Sequence, residues 1–395
     1  MTAFPPERGF ALQEYETRTE NAQRMMREQR LDAMLLTTEP HVRYFSGFLT
    51  QFWQSPTRPW FLLLPATGKP VAVIPTIGLA GMRQTWIDDI RSWSSPQPED
   101  DGVSLLLSTI RELPARFGRL GMTLGAESHL RMPALDYRRL EDELSTLELV
   151  DCAALMLKLC SVKSAAEIDK IRYVCELASD SFNALPDFAQ TGQSERDILR
   201  AMRIDLLQRG ADHTPYIVSA SGPDGYGDII MGPDDRKLES GDILIIDTGT
   251  VFDGYYCDFD RNYAFGYASD EARRAYDTVF RSTDAGLAAA RPGATTTDVW
   301  QAMWSVLTAG GATSNDVGRM GHGLGAQLTE WPSITASDHN LLEPGMVITL
   351  EPGMDYNGDR LMVHEENIVI TESGAELLSK RAAAEMPIVS PEETR

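Results

Sequence analysis

The chain has 395 residues, 43% of them hydrophobic and 24% charged, and carries a formal net charge of −22. That balance supplies ample core material for a globular chain of two domains or one large one, and it argues against nucleic acid and anionic membrane surfaces as partners, because both select a cationic face. Four cysteines (Cys152, Cys160, Cys175, Cys257) form no Cys-x-x-Cys pair, the pattern of a reduced, cytoplasmic protein. The opening MTAFPPERGF lacks the basic and apolar regions of a signal peptide. No apolar run approaches the roughly 18 residues a membrane span requires.

In chain order, residues 12–30 carry a polar helical pattern, and LDAMLL (31–36) reads as a strand. WFLLLPATGKPVAVIP (60–75) reads as a hairpin, two apolar runs joined by Ala-Thr-Gly-Lys. Strand and helix signals then alternate to about residue 150, which predicts an α/β domain. The segment 151–163 reads as a joint. Ser164-Ala-Ala-Glu167 is a capping-box pattern, and Ile168, Ile171, Cys175, Ala178 and Phe182 follow at helical spacing. Beyond it, 216–262 is strand-rich, 270–290 and 296–309 are helical, and 343–372 is strand-rich again. The second half therefore mixes helices with a mostly antiparallel sheet.

The stretch IIDTGTVFDGYYCDFDRN (245–262) sets four aspartates among residues suited to a buried strand pair. A buried carboxylate is costly unless something compensates it. Asp253-Gly254 supplies a tight turn, which accounts for Asp253. Alternation puts Asp258 and Asp260 on one face of the return strand and Cys257 on the other, toward the core. A hairpin can bring Asp247 and Asp258 face to face, where like charges repel unless one is protonated or a cation lies between them. Asp258 could instead pair with Arg261, and Asp260 with a nearby arginine. Downstream, GRMGHGLG (318–325) surrounds His322, TLEPGM (349–354) ends an apolar strand at Glu351, and MVHEENIVI (362–370) carries Glu365 and Glu366. Many oxygens with one nitrogen suit a divalent Mn, Co, Fe or Zn ion better than a thiolate site would.

DTGTVFDGYYCD, GHGLG, EPGM and HEEN, in that order, resemble the pita-bread metallohydrolases: methionine aminopeptidase, aminopeptidase P, prolidase and creatinase. KSAAEIDKIR (163–172) resembles the helix that opens their catalytic domain, and HVRYFSGF (41–48) resembles a segment of the creatinase/prolidase amino-terminal domain. The resemblance implies a creatinase-like α/β domain over 1–155 and a pita-bread catalytic domain over 163–395. It also implies two divalent transition-metal ions: Asp247 on one, Asp258 and Glu365 bridging, His322 and Glu351 on the other. Glu365 is preferred to Glu366 because Glu365-Glu366-Asn367-Ile368 fits the family pattern in register. Water activated there would attack the carbonyl carbon of a dipeptide or other small substrate. A homodimer is implied as well, with the amino-terminal domain reaching the partner's site. Trp53, among Phe48, Phe52 and Trp60, reads first as core packing and otherwise as a wall of the substrate pocket there.

The sequence also departs from that family. Thr329 stands where the peptidases carry a histidine about seven residues past the metal-binding one, and Met231 stands where another precedes the first ligand strand. Val363 replaces an arginine, Gly318 a further histidine, and Asp260 a threonine. Thr329 and Met231 are thus candidate substrate contacts, and Asp260 and His213 candidate acid/base groups. His364 alternates away from Glu365 and reads as packed. The expected function is an Xaa-Pro dipeptidase- or aminopeptidase-like metal-dependent hydrolase. The alternatives are action on an osmolyte (dimethylsulfoniopropionate lyase-, creatinase- or ectoine hydrolase-like) and an inactive binding module.

Overall fold

The computed structural model describes residues 4–314 and 318–389. The chain divides into two compact units, one from Glu7 to Cys160 and the other taking in Ser161 onward.

In the first unit, the polar pattern near the start forms a helix over Leu12–Glu28, which buries Ala22 and Met26. Six strands follow: β1 (Ala33–Leu36), β2 (Phe61–Pro65), β3 (Val71–Pro75), β4 (Asp89–Trp93), β5 (Arg119–Met122) and β6 (Glu148–Asp151). They form one mixed sheet in the order β4-β3-β2-β1-β5-β6. β2 and β3 are the expected antiparallel hairpin. β1, β2 and β3 are buried at every position, which is why they read as near-continuous apolar runs. Residues 153–161, read as part of a joint, form a helix, Ala153–Ser161. Its Leu155, Met156 and Leu159 join the core of the first unit, so apolar burial takes precedence over a linker there.

The second unit opens with a helix over Ala165–Asn183. Both hydrogen bonds of the capping box are present, between Ser164 Oγ and the Glu167 amide and between Glu167 and the Ser164 amide. The strands that build the site are β7 (His213–Pro223), β8 (Asp242–Phe252), β9 (Tyr255–Tyr256), β10 (Phe259–Phe265), β11 (His322–Gly323), β12 (Glu330–Ser333), β13 (Val347–Leu350), β14 (Gly353–Tyr356), β15 (Arg360–Val363), β16 (Glu366–Ile370), β17 (Ala375–Leu377) and β18 (Ile388–Val389). One sheet runs β18-β10-β8-β7, with β9 on β8; a second runs β12-β11-β13-β16-β17; β14 and β15 pair by themselves. Every pairing here is antiparallel except β10 with β18. The long helices Asp270–Ala289 and Thr296–Ala309 contribute Ala275, Val279, Val299 and Met303 to a core shared with Ile348, Leu350 and Ile368. The region 224–241, inside a stretch read as strand-rich, is irregular chain between β7 and β8. Its Pro, Gly and Asp content suits turns rather than a ladder.

Candidate metal centre

The site grows from the β8–β9 turn. Asp253 (φ +46°) and Gly254 (φ +72°) both lie in the left-handed region, as a two-residue hairpin turn demands. Asp253 also forms a buried ion pair with Lys170, 2.8 Å away. The register pairs Val251 with Tyr256, Thr248 with Phe259 and Asp247 with Asp260. Asp260, not Asp258, is therefore the direct cross-strand neighbour of Asp247. Asp258 lies two residues nearer the turn, in the short break between β9 and β10. Asn367 on β16 holds the backbone there: its Oδ1 accepts from the Asp258 amide at 2.9 Å and its Nδ2 donates to the Asp258 carbonyl.

The second sheet brings the other groups. His322 occupies β11, and its amide donates to Thr349 Oγ1 on β13 at 3.1 Å. Gly321 beside it has φ +145°, and a Cβ there would stand 2.3 Å from the Thr349 carbonyl, so no larger residue fits. Glu351 follows directly on β13, and Glu365 directly precedes β16. Asp258, His322 and Glu365 each offer a ligand atom within 4.8 Å of the others. His322 Nε2 lies 3.4 Å from Asp258 Oδ2 and 3.9 Å from Glu351 Oε2. Its Nδ1 is 2.8 Å from the Gly323 carbonyl, so Nδ1 carries the proton and the Nε2 lone pair faces the carboxylates.

These groups line a cavity of about 360 Å³ with Asp247, Asp260, Tyr216, Arg319 and Thr329. Burial, reinforced by neighbouring carboxylates, pushes Asp247, Asp260 and Glu365 well above the ordinary range. Burial also raises Asp258, against the pull of Arg319. Burial holds His322 below its usual value and so keeps it neutral. Buried oxygens of Asp247 (Oδ1) and Glu365 (Oε1) have no hydrogen-bond partner. So many buried carboxylates with one arginine among them are a poor arrangement for protein alone and a good one for divalent cations. The donor set, carboxylates plus one neutral imidazole, fits such ions.

Glu366 is employed elsewhere. It accepts from Arg261 Nη2 at 2.9 Å, Arg381 Nη1 at 3.1 Å, the Ala382 amide at 3.0 Å and Ser379 Oγ. Arg261, which could have served Asp258, is turned to Glu366 and to backbone carbonyls. Glu366→Ala should cost about 3–5 kcal/mol, the scale for breaking a buried ion pair. Denaturant melts read that loss, and metal per folded chain should not change. Metal loss at unchanged stability would reverse the assignment of the two glutamates.

The other candidate residues are distributed unevenly. Thr329 lines the cavity and accepts from Arg319 Nη2 at 3.2 Å. His213 starts β7 opposite Val251, away from the cavity lining. Met231 is 60% exposed, and its neighbours Ile229 and Ile230 line the cavity instead. Trp53 is packed in the core of the first unit against Trp60, ring centroids 5.7 Å apart. His364 is fully buried, stacked on Phe280 and 3.4 Å from Glu366. Two polar cavity residues are given no role by the sequence motifs. Tyr216 lines the cavity with Asp247, and burial and the Asp247 charge together push its hydroxyl up; Arg319 reaches Glu351 at 3.7 Å. Arg319 stood inside the glycine-rich stretch, where its charge among future carboxylates was the available signal.

Comparison with known proteins fits this geometry. Residues 169–372 match the model of metallopeptidase family M24, and residues 18–162 match the creatinase/prolidase N-terminal domain. The chain belongs to metallopeptidase family M24. Within this M24 family, it is 30% identical over 326 residues to the probable dipeptidase PepE of Mycobacterium bovis, covering 80% of this chain and 81% of that one. It is 28% identical to an uncharacterized peptidase, YqhT, of Bacillus subtilis, over 87% of this chain and 92% of that one. Among solved structures, the dipeptidase PepE of Mycobacterium ulcerans superposes with a TM-score of 0.83 at 28% identity, covering 97% and 100% of the two chains. The prolidase of Thermococcus sibiricus shares the fold, with a TM-score of 0.84 at 22% identity over 95% and 99%. This M24 chain thus sits in the prolidase, aminopeptidase P and dipeptidase branch. Among the described residues, no helix is long and apolar enough to cross a membrane.

Proposed function

We propose that the protein is a dinuclear metal-dependent dipeptidase, cleaving a peptide bond of a small substrate with an apolar residue near the scissile bond. One observation carries this reading: buried carboxylates and one neutral imidazole converge on a cavity with unpaired oxygens on Asp247 and Glu365. Asp247, Asp258, His322, Glu351 and Glu365 would hold the ions, whose Lewis acidity would polarise a carbonyl and lower the pKa of water toward neutrality.

The chain's own residues do the rest. Gly323 fixes the His322 tautomer, and Asn367 fixes the backbone of Asp258. Ile229, Ile230, Leu328 and Val363 give the cavity an apolar wall suited to a substrate side chain. Asp260 faces Asp247 with a buried, unpartnered Oδ1. In this reading it accepts a proton from the attacking water and returns it to the leaving amine. The names of PepE and the prolidase relatives support a dipeptide as substrate.

Assay of Xaa-Pro and other apolar dipeptides with Mn, Co, Zn or Fe tests the reading, and release of free amino acid is the expected result. A second reading has its own support, since His322 is the only histidine on the cavity lining among the described residues. It assigns the same platform to a non-peptide osmolyte. No dipeptide turnover together with turnover of such an osmolyte would select it.

A further inference from the structure

The cavity lining holds five carboxylates and, among the described residues, a single permanent cation, Arg319. That guanidinium is not locked into a carboxylate pair. Nη2 donates to Thr329 Oγ1 at 3.2 Å and Nη1 to Ser333 Oγ at 3.4 Å, both neutral hydroxyls. Its approach to Glu351, through Nε, is 3.7 Å, beyond hydrogen-bonding distance. The side chain lines the cavity and is 33% exposed. Both Nη nitrogens of the fork are thus braced by hydroxyls and carry further N–H groups, the geometry that suits a planar carboxylate. Apart from the proposed metal ligands, the other lining residues are acidic, apolar or hydroxylic, so Arg319 is the protein's own partner for an anionic substrate group.

We propose that Arg319, braced by Thr329 and Ser333, is the substrate-carboxylate anchor, which makes the enzyme selective for substrates ending in a free α-carboxylate within reach of the scissile bond. This rests on the dipeptidase reading and narrows it. Amidated dipeptides and longer peptides, whose carboxylate falls elsewhere, are poor substrates. Thr329 then acts through Arg319, as a positioning residue that keeps the fork aimed into the cavity.

The test compares an apolar dipeptide with its C-terminal amide, and separately L-leucine with L-leucinamide by calorimetry, on metal-loaded wild type, Arg319→Met and Arg319→Lys. Wild type should prefer the dipeptide acid by about 100-fold in kcat/KM, the scale of a charge-assisted hydrogen-bonded pair. It should also bind leucine more tightly than leucinamide. Arg319→Met should lose both preferences, chiefly through KM, with metal content retained. Arg319→Lys should recover them in part. Equal use or binding of acid and amide by wild type would overturn the proposal, as would a preference that survives in Arg319→Met. A leucine preference that depends on Arg319, without turnover of any dipeptide, would keep the anchor and remove the dipeptidase reading.

Discussion

Asp258→Asn should strip the protein of metal and activity together while making the metal-free protein more stable. Asp258 lies 3.4 Å from His322 Nε2 and within ligand reach of Glu365. Its charge also helps to raise Asp247, Glu351 and Glu365. Asparagine keeps the shape and removes the repulsion, so Asp247, Glu351 and Glu365 ionise more readily in the folded chain. Activity should fall by more than about 100-fold, the upper scale for losing only an outer partner of a metal ligand. Thermal melts of metal-free wild type and variant near neutral pH read the stability change. A metal-free variant less stable than metal-free wild type would mean that Asp258 is compensated by protein groups and needs no cation.

The second large effect is the pH dependence of metal stabilisation. Asp247, Asp258, Asp260 and Glu365 have folded values above their unfolded ones. Between the two, the folded metal-free protein binds more protons than the unfolded chain, so these groups make stability fall as pH rises. Bound cations remove that penalty by holding the carboxylates ionised. His322 is depressed by burial, and its protonation at low pH would compete with metal, so it too makes the metal increment grow with pH. Glu366 is held below its ordinary range by Arg261 and His364, and His364 is itself depressed to about 4 by burial. Both contribute stability that is lost as pH falls, but they are common to the metal-free and loaded forms and cancel in the difference. The rise in melting temperature on adding metal should therefore grow from about pH 5 to about pH 8. A constant or shrinking increment would contradict the cluster's electrostatics.

Much of this architecture was legible because local rules and tertiary needs coincide. Asp253-Gly254 had to be a turn, Ser164 and Glu167 had to cap a helix, and the buried runs had to be strands. The approach of Asp258, His322 and Glu365 followed from the order of motifs. The cross-strand partner of Asp247 did not, because face alternation fixes which side a residue takes but leaves open which of two same-side residues stands opposite. Glu365 and Glu366 are adjacent carboxylates of equal length. Only the positions of Arg261 and Arg381, far away in sequence, assign Glu366 to the structural network. Arg319 and Tyr216 acquire their roles by proximity across two sheets, which no local pattern records. The chain 224–241 misled for the opposite reason: it joins two long strands without continuing either.

On the proposed reading, two divalent ions compensate the buried carboxylates around His322. The most direct measurement is the transition-metal content of the purified chain after reconstitution with Mn, Co, Zn or Fe, set beside that of Asp258→Asn. Two ions per wild-type chain, lost in the variant, is the expected result. A wild-type protein that retains no transition metal under any of these conditions would contradict it.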